Sequence, residues 1–162
     1  MSNKRNIVVA ASIFAVTAFL VSGERAEAIS ANSNARIAVP ITISESTALN
    51  FGFASSSGVA GTVVISSAGV QSTTGGVGAL GGPHSQGIFA VTGETNNAFS
   101  TTVDATSTLS GPGANMTATL SNDAPSNLSS GSATINVSAS LAVGVNQTNG
   151  AYSGTYSITV NY

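Results

Sequence analysis

The chain of 162 residues has no cysteine, no tryptophan and one histidine. Charged side chains make up 6% of it, against roughly a quarter in an average soluble domain. Each scarcity removes a class of function. Without cysteine there is no disulfide framework, thiolate nucleophile or Cys-ligated metal. A lone imidazole cannot build a multi-histidine centre. Four Lys and Arg residues cannot supply the positive footprint of a nucleic-acid binder. So few charges also leave little material for helices with a solvated, charged face. What remains in quantity is Ser, Thr, Asn, Val, Ala and 18 glycines.

Part of the charge lies at the start. Lys4 and Arg5 precede an apolar run over residues 7–21, and Ala26-Glu27-Ala28 follows with small residues at the positions a signal peptidase reads. This order predicts a secretory signal peptide, residues 1–28, cleaved between Ala28 and Ile29. The competing reading is a membrane anchor, but the run is shorter than the roughly 20 apolar residues a spanning helix needs. The expected mature chain, residues 29–162, then has no membrane span and is exported, to the periplasm, the cell surface or beyond. It holds one positive charge, Arg36, against Glu45, Glu94, Asp104 and Asp123, a net charge of −3. That balance offers no attraction to nucleic acid or anionic lipid.

Period-two alternation dominates residues 29–162. It runs through Ile37, Val39, Ile41 and Ile43; Phe99, Thr101 and Val103; Met116, Ala118 and Leu120; and Ile135, Val137, Ala139, Leu141 and Val143. At the end, Tyr156, Ile158, Val160 and Tyr162 alternate with Ser157, Thr159 and Asn161. Alternation of this kind sets one strand face on a core and the other in water, and argues against the disorder that Ser/Gly-rich chains often show. Strands are expected at 35–44, 48–54, 61–71, 87–93, 97–105, 114–121, 132–145 and 151–162, with a loop over about 72–86. Turn residues fall between them: Ser55-Ser56-Ser57-Gly58, Gly75-Gly76-Val77-Gly78, Gly111-Pro112-Gly113 and Asn149-Gly150. No linker or fixed repeat divides the segment. The expected fold is all-β, a single antiparallel immunoglobulin-like β-sandwich over 29–162. The terminal strand should bury Tyr156, Ile158, Val160 and Tyr162 and pair along most of its length.

No chemistry-bearing constellation emerges. His84 lies in Gly81-Gly82-Pro83-His84-Ser85, a loop by composition, where a solvated histidine is the plain alternative to a catalytic base. The four carboxylates are scattered, without calcium-loop clustering. The glycine-rich stretch 75–82 lacks the lysine of a phosphate loop and reads as a mobile turn. Four N-x-[ST] sequons start at Asn115, Asn127, Asn136 and Asn146, as this composition makes nearly inevitable. Tyr152, Tyr156 and Tyr162 suit core or rim packing, with a sugar-stacking platform as the alternative. No catalytic residue, metal or cofactor is expected.

The order of certain elements resembles a known family. Ile41-Thr42-Ile43 is followed by Leu49-Asn50-Phe51-Gly52, Phe89-Ala90-Val91-Thr92-Gly93, Leu141-Ala142-Val143-Gly144 and the terminal Gly150-Ala151-Tyr152-Ser153-Gly154-Thr155-Tyr156-Ser157-Ile158-Thr159-Val160-Asn161-Tyr162. This arrangement resembles the DUF4402 family of small exported bacterial proteins over almost all of 35–162. It is similar, more weakly, to the spore-coat-U-type subunits of archaic chaperone–usher pili, which implies a pilin-like sandwich. The resulting expectation is a non-enzymatic subunit of a surface fibre or extracellular matrix. It would self-associate or join other fibre subunits by strand addition, with a periplasmic chaperone and an outer-membrane usher as further partners. Ile37, Val39, Ile41 and Ile43 form the candidate donor strand, although the same residues also read as the domain's own first strand, and Pro40 suits an edge or bulge. The alternative function is a monomeric secreted adhesive or ligand-binding module acting through its loops.

Overall fold

The computed structural model of the chain describes residues 27–162. The expected signal peptide therefore lies outside the described residues except for Glu27 and Ala28. Residues 27–35 are exposed and carry no regular secondary structure. From Arg36 onward the chain forms an all-β, antiparallel, sandwich-like fold, with no helix among the described residues. Its strands are β1 (Thr42–Thr47), β2 (Phe53–Ser55), β3 (Gly61–Ile65), β4 (Gln71–Gly75), β5 (Gly78–Gly81), β6 (Gly87–Thr92), β7 (Ser100–Val103), β8 (Thr106–Leu109), β9 (Met116–Asn122), β10 (Ser132–Val143) and β11 (Ile158–Asn161).

The long strand β10 organises the large, seven-stranded sheet. Along one edge it pairs first with β6, from Ser132↔Thr92 to Val137↔Gly87, and then with β3, from Ala139↔Ile65 to Val143↔Gly61. Along the other edge it pairs with β9, which in turn pairs with β8. β1 extends the sheet beyond β6, and β4 extends it beyond β3. Cross-strand rows make the inner face apolar. Ala139 sits between Ile65 and Leu120, Leu141 between Val63 and Ala118, and Ile135 faces Phe89. Branched and aromatic side chains at such paired positions are what stabilise a sheet.

The inner face of β10 serves two clusters. Ile135, Val137 and Ala139 pack with Phe89, Val91, Phe99, Leu120, Leu128 and Val160. Leu141 and Val143 pack with Val63, Val77, Met116 and Ala118. The second layer is thinner: β11 pairs with β7, β2 pairs with β5, and these two-stranded sheets are not joined to each other by strand pairing.

Several elements differ from the sequence reading. The first strand is Thr42–Thr47 rather than 35–44, because Pro40 has no N–H to give a ladder. The second is reduced to Phe53–Ser55. The expected strand 61–71 is a hairpin, turned where Gly69 takes φ 76° and its N–H donates to the Ser66 carbonyl at 2.9 Å. The expected loop 72–86 holds most of β4 and all of β5. Segment 97–105 narrows to β7, and β8 follows it unforeseen. The terminal strand ladders over only Ile158–Asn161, against β7 alone. It is thus neither central nor paired along most of its length, because residues 151–157 run beside a bend between β7 and β8 that breaks the register.

The shared strand gives a direct test. Ile135→Ala, at a side chain with no solvent exposure, should cost about 2–5 kcal/mol. Thr134→Ala, on the exposed outer face, should stay within about 0.5 kcal/mol of the parent. Denaturant titration of both variants checks the assignment of faces.

Candidate functional site

The second layer leaves a concavity between its two small sheets. It is a groove of about 1020 Å³. Its floor is the second core cluster, Val63, Met116, Ala118, Leu141 and Val143, and its walls are Leu49–Ser56 on one side and Gln147–Tyr156 on the other. No charged side chain lines it. The walls meet at one end, where the Asn146 N–H donates to the Ser57 carbonyl at 2.7 Å and the Ser56 hydroxyl donates to the Gln147 carbonyl at 2.9 Å. Away from that end the terminal wall is loosely held. Within 151–157, the main-chain-to-main-chain bonds among the described residues are those of Ser153 with Ser110 and of the Ser157 carbonyl with the Asp104 N–H. The groove therefore sets an apolar floor between walls that carry Asn50, Ser55, Ser56, Thr148, Asn149 and Ser153.

The terminal wall owes its course to the three tyrosines, each of which is set against glycine. A β-carbon at Gly111 would stand 2.5 Å from the Tyr152 ring, and one at Gly87 would stand 2.5 Å from the Tyr156 hydroxyl. A β-carbon at Gly93 would collide with the Tyr162 hydroxyl. The tyrosines therefore occupy three separate seats and form no common platform. Tyr156 packs against the first core cluster and meets Phe89 edge-on, with centroids 6.2 Å apart and planes at 78°. Its hydroxyl is shut off from solvent without a hydrogen-bond partner among the described residues. Burial, with a smaller contribution from Glu45, pushes that hydroxyl up to about 12. Ile158 is half-buried, Val160 is buried, and Tyr162 is 48% exposed. Ser157, Thr159 and Asn161 face outward.

The candidate donor residues divide into two pairs. Ile41 and Ile43 pack against the first core cluster, with Ile43 opposite Val91 in β1. Ile37 and Val39 are 99% and 55% exposed. Side chains from elsewhere clasp this second pair. The Val39 N–H donates to Glu94 Oε2 at 2.9 Å, and the Tyr162 hydroxyl donates to the Val39 carbonyl at 2.8 Å. Arg36 pairs with the other Glu94 oxygen, and the Glu94 N–H donates to the Tyr162 hydroxyl. The Val39 N–H and then the Arg36 guanidinium hold the Glu94 carboxyl below its ordinary value.

Two further carboxylates act in the same way as Glu94. Asp104 Oδ2 accepts the Ser157 N–H at 2.7 Å, and Asp123 Oδ1 accepts the Asn136 N–H at 2.7 Å. All three close a main-chain donor where the ladder stops, a role invisible to a search for paired acids. Among the described residues, no group of three His, Asp or Glu side chains converges. His84 is exposed, and its Nδ1 donates to the Gly82 carbonyl at 3.1 Å. Of the sequon residues, Asn136 lies in β10 with its amide on Asp123, whereas Asn115, Asn127 and Asn146 are exposed. The expected cleavage point, Ala28 and Ile29, is exposed as well.

The family model for a domain of unknown function, DUF4402, matches residues 41–162. The chain belongs to the DUF4402 family. The match begins at Ile41, one residue before β1, and extends through β11, so it takes in both walls of the groove and leaves residues 29–40 outside. No curated protein and no solved structure matches this DUF4402 chain.

The Tyr156 seat yields two expected outcomes. Tyr156→Phe removes an unpartnered buried hydroxyl and should leave stability unchanged or raise it by up to about 1 kcal/mol. Gly87→Ala should cost about 1–3 kcal/mol by overpacking, and less in the Tyr156→Phe background, as a double-mutant cycle in denaturant would report. The raised hydroxyl also has a pH consequence. Above the ordinary value of 10.0 the unfolded chain loses this proton first, so stability should fall as pH rises from 10.0 towards about 12. Urea titrations across that range should show a shallower fall in Tyr156→Phe.

Proposed function

We propose that this chain is a non-enzymatic, exported structural subunit that joins further copies of itself at the cell surface by β-strand addition. The observation that carries this reading is the groove, an uncharged trough of about 1020 Å³ with an apolar floor and largely polar walls, where the two small sheets of the second layer are not joined. Its occupant is the segment 29–39 of a neighbouring copy. That segment is exposed and free of strand pairing, and it alternates from Ile29 to Ile37 before the apolar run Ile37-Ala38-Val39. Ile29, Ala31, Ser33, Ala35, Ile37 and Val39 are apolar or small, and Ser30, Asn32, Asn34 and Arg36 between them are polar. An added strand of this pattern sets one row of side chains on the floor while its main chain meets the open walls. The weaker resemblance of the chain's layout to spore-coat-U-type subunits agrees with the same reading, as does the signal-peptide pattern. A periplasmic chaperone would then shield the groove before assembly.

The absence of native cysteine makes a clean test available. Ile37→Cys in one preparation of residues 29–162 is mixed with Leu80→Cys, at the groove, in another. Oxidation should yield a cross-linked pair well above that formed with Thr117→Cys on the outer face, since disulfides need Cα atoms within about 7 Å. Sedimentation should show association that grows with concentration. A chain that stays monomeric throughout, with equal cross-linking at Leu80 and Thr117, would overturn the proposal.

A further inference from the structure

The clasp on residues 36–39 is unusual for the side chains it employs. Where a strand would continue along β6, Val39 instead has its N–H taken by a carboxylate and its carbonyl by a phenol. Neither bond belongs to a ladder, so opening them disturbs no neighbouring strand pair. The clasp also holds its residues without covering them, since Ile37 remains 99% exposed and Val39 55% exposed. No burial of Ile37 opposes its departure, and only part of Val39 is covered.

We infer that the Glu94–Tyr162 clasp is a releasable latch. It retains Ile37 and Val39 on the free subunit and gives them up to the docking strand when a neighbour's groove is engaged. The inference rests on the strand-addition reading above. Residues 29–35 alone span about 23 Å as a strand, and 29–39 span about 36 Å, at roughly 3.3 Å per residue. The shorter piece offers one large apolar side chain, Ile29, and the longer piece offers three. Full seating therefore requires release of 36–39, and the latch sets the barrier to it. Gly93 belongs to the device, because only the space its missing side chain leaves admits the Tyr162 hydroxyl.

Glu94→Ala and Tyr162→Phe each remove one side of the latch and leave the groove untouched. In residues 29–162 of either variant, amide exchange at Val39 should quicken roughly three- to tenfold, the scale of losing one charge-assisted bond at an exposed site. Cross-linking between Ile37→Cys and Leu80→Cys copies should accelerate by a similar factor. A synthetic peptide of residues 29–39, added in trans, should bind parent and variants alike. Faster exchange with unchanged or slower cross-linking, while the peptide still binds, would sink the latch alone. Unaltered exchange at Val39 in both variants would sink it too. A peptide that binds neither parent nor variants would remove the strand-addition reading and the latch together.

Discussion

The structure depends on β10, whose inner face is apolar along its length. Ile135, Val137, Ala139, Leu141 and Val143 face one way, and both core clusters are built on them. Because β6 and β3 lie end to end along one edge of β10 while β9 covers the middle of the other, the sheet can curl without losing its spine. A slip of one residue in β10 would turn every one of these side chains to water. The same strand supplies the floor of the groove through Leu141 and Val143, which are buried, so the proposed docking surface rests directly on the second core cluster.

The groove above that cluster is shaped by the way the terminal segment is tied down. Tyr152, Tyr156 and Tyr162 each reach a glycine on another part of the fold, and these seats hold 151–162 in place where main-chain pairing before β11 is sparse. A wall held by side chains at intervals can leave its main-chain groups unmatched along one edge. In a laddered strand those groups would already have partners, and an exposed unpaired edge is a site where another chain adds. The combination of apolar floor and loosely paired walls is what separates this groove from an ordinary surface cleft.

The sequence discloses the fold wherever burial is one-sided and continuous. β6, β9 and β10 stand within about two residues of their expected positions, and the in–out order of 156–161 is readable from alternation alone. Polar edge elements were hidden. β4 is Gln-Ser-Thr-Thr-Gly and β5 is Gly-Ala-Leu-Gly. Both pair through their main chains without burying a face, so they carry no period to detect. The expected start at residue 35 followed a real alternation, but Pro40 and the Glu94 clasp divide it, with Ile41 and Ile43 kept for the core and Ile37 and Val39 left outside. The groove itself had no signal in any one segment. It exists because two small sheets fail to join, a property of tertiary arrangement that residue types do not announce.

The scarcity of charge acquires a meaning in this light. Of the four carboxylates in 29–162, Glu94, Asp104 and Asp123 each accept a main-chain N–H where a ladder gives out. All three bonds lie at exposed sites, and there an ionised acceptor holds the free N–H with a stronger bond than a neutral one. Few charges suffice because nearly all other polar groups are hydroxyls and amides, which tolerate both water and sheet. Those carboxylates mark the places where the fold stops pairing with itself. At Asp104 and Asp123 the chain simply turns back into the sheet. At Glu94 it does not. The segment ahead of Arg36 continues as exposed chain without strand pairing, and the carboxylate that ends the domain's own ladder stands where the proposed donor segment leaves the fold.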